Sequence, residues 1–519
     1  MNSNVYRWIF KDKSVYWMLV LILLLGKMLN LFEYGFQYTG SDDLIFWISG
    51  IDYSHGIFYE PFFYGQNYNI ALEAFFAIPL LWVGVPAYYA MPLVSSLMGV
   101  FPFLFFAHVL LKKGKTISAY IFLLIPIALP IEYDLITSMS RGFVTGLFFS
   151  SFLVFPLLEP KKVSSFVILG FSIALGFVLN PNSLIISFPV SLYLLFHNFE
   201  NWKFYLIPLI IAIPFLFLQE LAKEFYEINP DYKVHFMWVL EYKWELLLEA
   251  FNNLNQYFRY LMPVFWTGHW VVILVIFVAG IYVVKKDWRK GVSLILAIVF
   301  AVVLLGLNKI SDDMGKIFLS STRMYLAIPI LLGLTFLWVK DEFKLKKEWK
   351  LVTLTIAFSF FFVKAAILPQ VVQKHTNINN LGPVGIKKLS DLEKECAELN
   401  EITKKHNVDL VVLVPKTDEF LPRVEFYNFG CEVIQDNMTK SVMNIYERRT
   451  WVYQEERKTP RKTVLLFNCR LKNVEMRQKE MDIEVLGKHP NLILVRNNDK
   501  TLSELCDMFG IRCQRNSYY

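Results

Sequence analysis

The chain has 519 residues, of which 55% are hydrophobic and 19% charged, with 47 Phe, 26 Tyr, 13 Trp and a net charge of +7. Soluble globular chains are about a quarter charged, so a large part of this one is built to avoid water. Its mean hydropathy of +0.41 agrees. The positive charge forms no continuous basic face but sits in short clusters between apolar runs. That excludes nucleic acid as a partner and is how membrane topology is encoded.

The first apolar run, 14–32, has no small-residue cleavage site and reads as a retained signal anchor. Ten further runs follow at 86–111, 116–131, 141–158, 163–179, 183–197, 204–218, 268–284, 292–307, 323–339 and 351–368. A helix needs roughly 16–25 apolar residues to cross the hydrocarbon layer, so the pattern predicts about 11 transmembrane helices. The clusters at Arg7, Lys11 and Lys13, Lys112, Lys113 and Lys115, Lys161 and Lys162, Lys203, Lys285 to Lys290, and Lys344 to Lys350 all fall on one side of that count. With basic loops cytoplasmic, the N-terminus is inside, and the loops 33–85 and 219–267 and the C-terminal segment are outside.

All five cysteines (Cys396, Cys431, Cys469, Cys506 and Cys513) lie late in the chain. They mark a boundary near Pro369, giving a transmembrane domain at 1–369 and a second domain at 370–519. No Cys-x-x-Cys pair occurs, which argues against zinc. The second domain has an amphipathic helix at 392–405, Val-rich strands at 409–415, 463–467 and 491–495, and a helix at 501–509. These elements predict a small extracytoplasmic α/β domain. Disulfides are permitted there. Cys506 and Cys513 are the nearest pair, and buried unpaired thiols are the alternative.

The first outer loop carries the chemistry. It reads Gly40-Ser41-Asp42-Asp43-Leu44, then Tyr64-Gly65-Gln66-Asn67-Tyr68, then Leu72-Glu73-Ala74. Adjacent carboxylates after a membrane span can serve as a general base or hold a metal ion. They can also simply begin a helix, as a cap and a favourable charge at its dipole. Lys27 is the one basic residue well inside an apolar run, where snorkelling to the outer interface competes with a functional role. The Gly114-Lys115-Thr116 run mimics the end of a phosphate loop, but Val109 stands where that motif needs Gly. Nucleotide binding is therefore not expected. Ser311-Asp312-Asp313 reads as a solvated turn.

This first-loop pattern resembles the GT-C membrane glycosyltransferases, in particular the family of the protein O-mannosyltransferases and the lipid A aminoarabinose transferase. The close likeness covers roughly residues 35–115, with Asp43 standing where the commoner form has Glu. The resemblance implies transfer of a sugar from a polyprenyl-phosphate donor to an acceptor hydroxyl on the outer face of the plasma (inner) membrane. The acceptor would be a glycan, lipid or protein. Asp42, with Asp43 beside it, is the expected base, and Tyr64, Gln66, Tyr68 and Glu73 are expected at the substrate. The departing phosphate needs cations near the headgroups. Arg323, Arg141, Arg259 and His269 stand at outer helix ends, and Arg323 opens a segment similar to the family's Arg-Tyr-x-x-x-x-Pro. The spacing of Glu132 and Asp134 resembles the metal loop of the related oligosaccharyltransferases, making a divalent metal ion the one cofactor to test. The rival reading is a lipid or polysaccharide flippase, which would place ionisable residues near the membrane midplane.

Overall fold

A computed structural model describes residues 12–66, 69–232, 240–311, 317, 321–339, 347–379, 385–414, 422–435, 438–444, 447–470, 474, 477–478, 480–488 and 491–511. These residues cluster into two compact units. The first comprises residues up to 36 with 92–219 and 238–375, and the second comprises 37–91, 220–237 and 376–519.

The first unit is helical. Among the described residues of the chain, five helices are long and apolar enough to cross a membrane: Asp12–Gly35, Ala87–Lys112, Phe199–Ile228, Trp288–Gly306 and Trp349–Thr376. A sixth candidate is the pair Thr116–Ala128 and Ile131–Ser138, bent by 88°. The bend follows Pro126 and Pro130: a proline lacks the donor that a continuous helix requires and disfavours helical geometry in the residue before it. Shorter apolar helices occupy Thr145–Leu158, Val163–Leu179, Pro181–His197, Val271–Val284 and Ile328–Val339. Each of the eleven expected runs thus falls on an apolar helix, although several are too short to be counted as spans on length alone. Helix Leu206–Ile228 runs past residue 218, where a loop was expected, and has no buried residue. Lipid can cover so apolar a face.

The boundary expected near Pro369 lies inside a helix, Lys347–Asn379. Beyond that helix, the chain folds with the loop that follows the first apolar run. Strand β1 (Tyr38–Gly40) pairs antiparallel with β2 (Ile386–Lys388). A five-stranded sheet then forms from β3 (Leu410–Leu413), β4 (Ser441–Met443), β5 (Val464–Phe467), β6 (Asp482–Lys488) and β7 (Asn491–Arg496), in the order β4-β3-β5-β7-β6. Strand β3 is parallel to β4 and β5, whereas β7 is antiparallel to β5 and β6.

Side chains alternate across a strand, and here both faces are buried. Leu410, Val412, Val464, Leu466, Ile493 and Val495 feed one core, and Val411, Leu413, Leu465, Phe467, Leu492 and Leu494 feed the other. This explains why the strands read as unbroken apolar runs. Helix Leu502–Phe509 begins with a reciprocal cap between Thr501 and Glu504 and ends at Gly510, in the left-handed conformation that glycine tolerates best.

A disulfide joins Cys396 of helix Leu389–Lys405 to Cys431. Cys506 belongs to a sheet core, and Cys513, the other half of the pairing expected for it, lies outside the described residues. The bridge closes a loop of 35 residues. Replacing both cysteines with Ser is expected to cost about 2–4 kcal/mol, measurable as an equally lowered denaturation midpoint in wild-type protein treated with reductant. An unchanged midpoint in both would contradict the pairing.

Candidate functional site

In the second unit the acid pair divides its roles. Helix Ser41–Ser54 starts directly after β1, with Gly40 in an extended conformation as its cap. The Asp43 carboxylate accepts the Gly40 amide at 2.9 Å and is buried. Asp43 therefore closes the helix N-terminus. Asp42 stands one residue earlier and is half-buried, leaving surface for a reacting group.

The C-terminal segment surrounds that acid with partners that sequence reasoning missed. Gly430 packs toward Leu44 of the Ser41–Ser54 helix, and the turn Phe426–Gly430 follows Glu425. Glu425 is buried and hydrogen-bonded to the Ser41 side chain. Burial pushes its carboxyl up to about 7, the Asp42 charge adds to the rise, and Arg448 and Ser41 oppose it. A carboxyl that changes charge near neutrality can hold or release a proton beside Asp42.

The sign of its effect on stability is fixed. With a folded value above the ordinary 4.5, Glu425 contributes stability that is fully present below about pH 4.5 and lost as pH rises through about 7. The Glu425→Gln variant lacks this dependence. Relative to it, the wild type is expected to lose about 3 kcal/mol between those pH values, measured by denaturation of both proteins across the range. A flat difference would contradict the assignment.

The other first-loop candidates are structural. Tyr64 is fully buried, and its hydroxyl donates to Asp52 at 2.7 Å. Burial raises Asp52 to about 6, against the pull of the Tyr64 hydroxyl and Arg449. The Gln66 carbonyl accepts the Tyr226 hydroxyl at 3.0 Å. Glu73 is fully buried in the first turn of helix Leu72–Trp82. Neither Tyr64 nor Glu73 presents surface in this structure. Tyr68 lies outside the described residues.

Arg449 packs close by. It reaches Glu432 at 2.6 Å and Glu447 at 3.6 Å. Trp451, two residues on, is stacked between Tyr59 and Tyr232 with ring centroids 4.9 and 5.1 Å away. The short segment carrying Arg448 is therefore anchored on both sides.

In the first unit, backbone hydrogen bonds tie the loops of all four cationic candidates together. The Asn182 side chain donates to the carbonyls of Phe143 at 2.7 Å and Arg323 at 3.2 Å, and Asn180 donates to that of Gly142. Thr322 donates to the Arg259 carbonyl at 2.9 Å. His269 packs on Tyr260, and its Nδ1 accepts the Tyr260 amide at 3.2 Å. Burial, with help from Arg259, pushes its imidazole below the ordinary value while Glu132 pulls the other way. The ring is thus held neutral near pH 7, with Nε2 as a donor.

Neither Arg323 nor Arg141 opens its helix as expected. Arg323 sits in the short turn Ser321–Met324, over the Phe143 ring, with the helix beginning at Ile328. Arg141 is buried in the segment before helix Thr145–Ser150. Lys309, overlooked in the sequence, is pushed down to about 8, first by burial and then by Arg323. Lys309 and Arg323 thus lie within electrostatic reach of each other, a pairing suited to an oxyanion.

The metal reading of Glu132 and Asp134 meets different partners. The Glu132 carboxylate faces His375 Nε2 at 3.3 Å. Both Asp134 oxygens are occupied by ammonium groups, Lys27 at 2.6 Å and Lys364 at 2.5 Å. Among the described residues no group of three His, Cys, Asp or Glu side chains is placed to hold a metal.

No family model matches the chain, and no curated protein matches it. Among solved structures it is similar to ArnT from Cupriavidus metallidurans bound to undecaprenyl phosphate. The likeness has a TM-score of 0.53 at 10% identity and covers 92% of this chain and 97% of that one. At this identity the likeness is one of fold. That shared fold extends over nearly the whole chain.

Proposed function

We propose that this chain is a membrane glycosyltransferase that moves a sugar from a polyprenyl-phosphate carrier to an acceptor hydroxyl outside the cytoplasm. The observation that carries the reading is the half-buried Asp42 at the start of its helix, with Asp43 locked beneath it and Glu425 close by. Asp42 takes the acceptor proton as the hydroxyl oxygen attacks the anomeric carbon. Glu425 and Arg448 tune the field around that carboxylate. Arg323, Arg141, Arg259 and His269 stabilise the departing lipid phosphate. The fold shared with a protein bound to undecaprenyl phosphate supports this donor class. The clusters of Lys and Arg between spans support an N-terminus inside and an outer second domain.

A panel of polyprenyl-phosphate sugars tests the proposal. With the accepted donor and an acceptor, free polyprenyl phosphate is expected to accumulate. If every donor survives incubation with folded protein, the proposal fails.

A further inference from the structure

The Lys27–Asp134–Lys364 cluster is not used by the transfer reaction. Helices Asp12–Gly35 and Trp349–Thr376 run in the same direction, since Asp12 pairs with Lys350 at 2.5 Å at one end. Further along, Lys27 and Lys364 both reach Asp134, which lies just beyond the 88° bend. Each lysine stands about 22 Å from that first end. This depth is past the middle of a hydrocarbon layer about 30 Å thick and within reach of the far interface.

A clamp between helices would need one lysine for one carboxylate. Here there are two. Among the described residues Asp134 is the acid both ammonium groups meet, and Lys27 donates additionally to Thr137 at 3.3 Å. Lys27 and Asp134 are buried, and the Lys364 side chain is 15% exposed. With both ammonium groups charged, the cluster holds one more positive than negative charge in apolar surroundings, which is costly unless an anion offsets it.

Next to the surplus charge is space. A cleft there is lined by Lys27, Asn30, Asp134 and Lys364 together with apolar residues such as Leu23 and Phe361. The neighbouring surface of the second helix is exposed and apolar at Phe358, Phe362 and Val363. One charged corner in an apolar slot beside a lipid-facing helix matches a phosphate carried on a hydrocarbon chain.

We propose that this cluster is a binding site for the phosphate of a membrane lipid, held by Lys364 and Lys27 with the chain along the exposed apolar face of Phe358, Phe362 and Val363. It is separate from the cations assigned to the donor phosphate and does not rest on the transferase reading. Two lipids share the required chemistry, a phospholipid such as phosphatidylglycerol and a polyprenyl phosphate.

Native mass spectrometry of the full chain with phosphatidylglycerol, undecaprenyl phosphate and a chain-matched diacylglycerol tests the site. At least one phosphate lipid is expected to be retained tenfold or more over diacylglycerol, and the better of the two identifies the source. Lys364→Met, which neutralises the surplus charge, should erase the preference. Asp134→Asn, which enlarges the surplus, should strengthen it severalfold, whereas a purely structural clamp would be lost in both. Equal retention of diacylglycerol, or an undiminished preference in Lys364→Met, would overturn the proposal. Should the variants fail to fold, a photoactivatable phosphatidic acid on the wild type decides. Labelling is expected on residues 22–30 and 361–368, and labelling confined to other segments would overturn the site.

Discussion

Asp42→Asn is expected to lower sugar transfer by about 10²–10⁴-fold, the usual contribution of a positioned general base, with little change in stability. Asparagine keeps the size of the side chain and is tolerated at a helix start. The helix terminus itself is closed by its neighbour, since Asp43 accepts the Gly40 amide. Asp43→Ala is therefore the control with the opposite signature: a stability loss of about 1 kcal/mol and a smaller kinetic effect. Rates and denaturation midpoints of both variants separate the roles. Wild-type turnover in Asp42→Asn would remove Asp42 as the base, and a larger kinetic loss in Asp43→Ala would exchange the two acids.

Glu447→Ala is expected to destabilise the protein by about 3–5 kcal/mol, the cost of breaking a buried ion pair from one side. The carboxylate is fully buried. It accepts from the Asn428 side chain at 2.6 Å, the Met443 amide at 3.1 Å and the Arg449 amide at 3.2 Å. Deleting it strands those donors and leaves the buried Arg449 guanidinium to lean on Glu432. Since Arg448 lies between Glu447 and Arg449, activity should fall together with stability. A midpoint change equivalent to less than about 1 kcal/mol would show that the segment is held by other contacts.

The apolar runs and the three central strands were legible because hydropathy and burial on both sheet faces leave a direct mark on composition. The first-loop acids were legible through their pattern. Their division of labour was not, because it turns on which carboxylate reaches back to Gly40. Strands of three residues, such as Tyr38–Gly40 and Ile386–Lys388, carry no period. Their pairing joins segments hundreds of residues apart, so the union of the outer loop with the C-terminal segment stayed hidden. Glu425 and Arg448 look like ordinary surface charges in sequence and acquire meaning only through that union. Lys27 stood out alone, and snorkelling accounts for a lone lysine; its partners Asp134 and Lys364 come from distant helices. Arg323 and Arg141 were placed at helix starts because hydropathy resolves a terminus only to within a few residues, whereas short turns precede both helices.

Proteoliposomes loaded with a donor labelled separately in its sugar and its lipid distinguish transfer from transport. A transferase releases one free polyprenyl phosphate for every sugar delivered to acceptor, and neither product forms with Asp42→Asn. Movement of both labels together across the bilayer, with the sugar still on its lipid, would contradict transfer and favour a flippase.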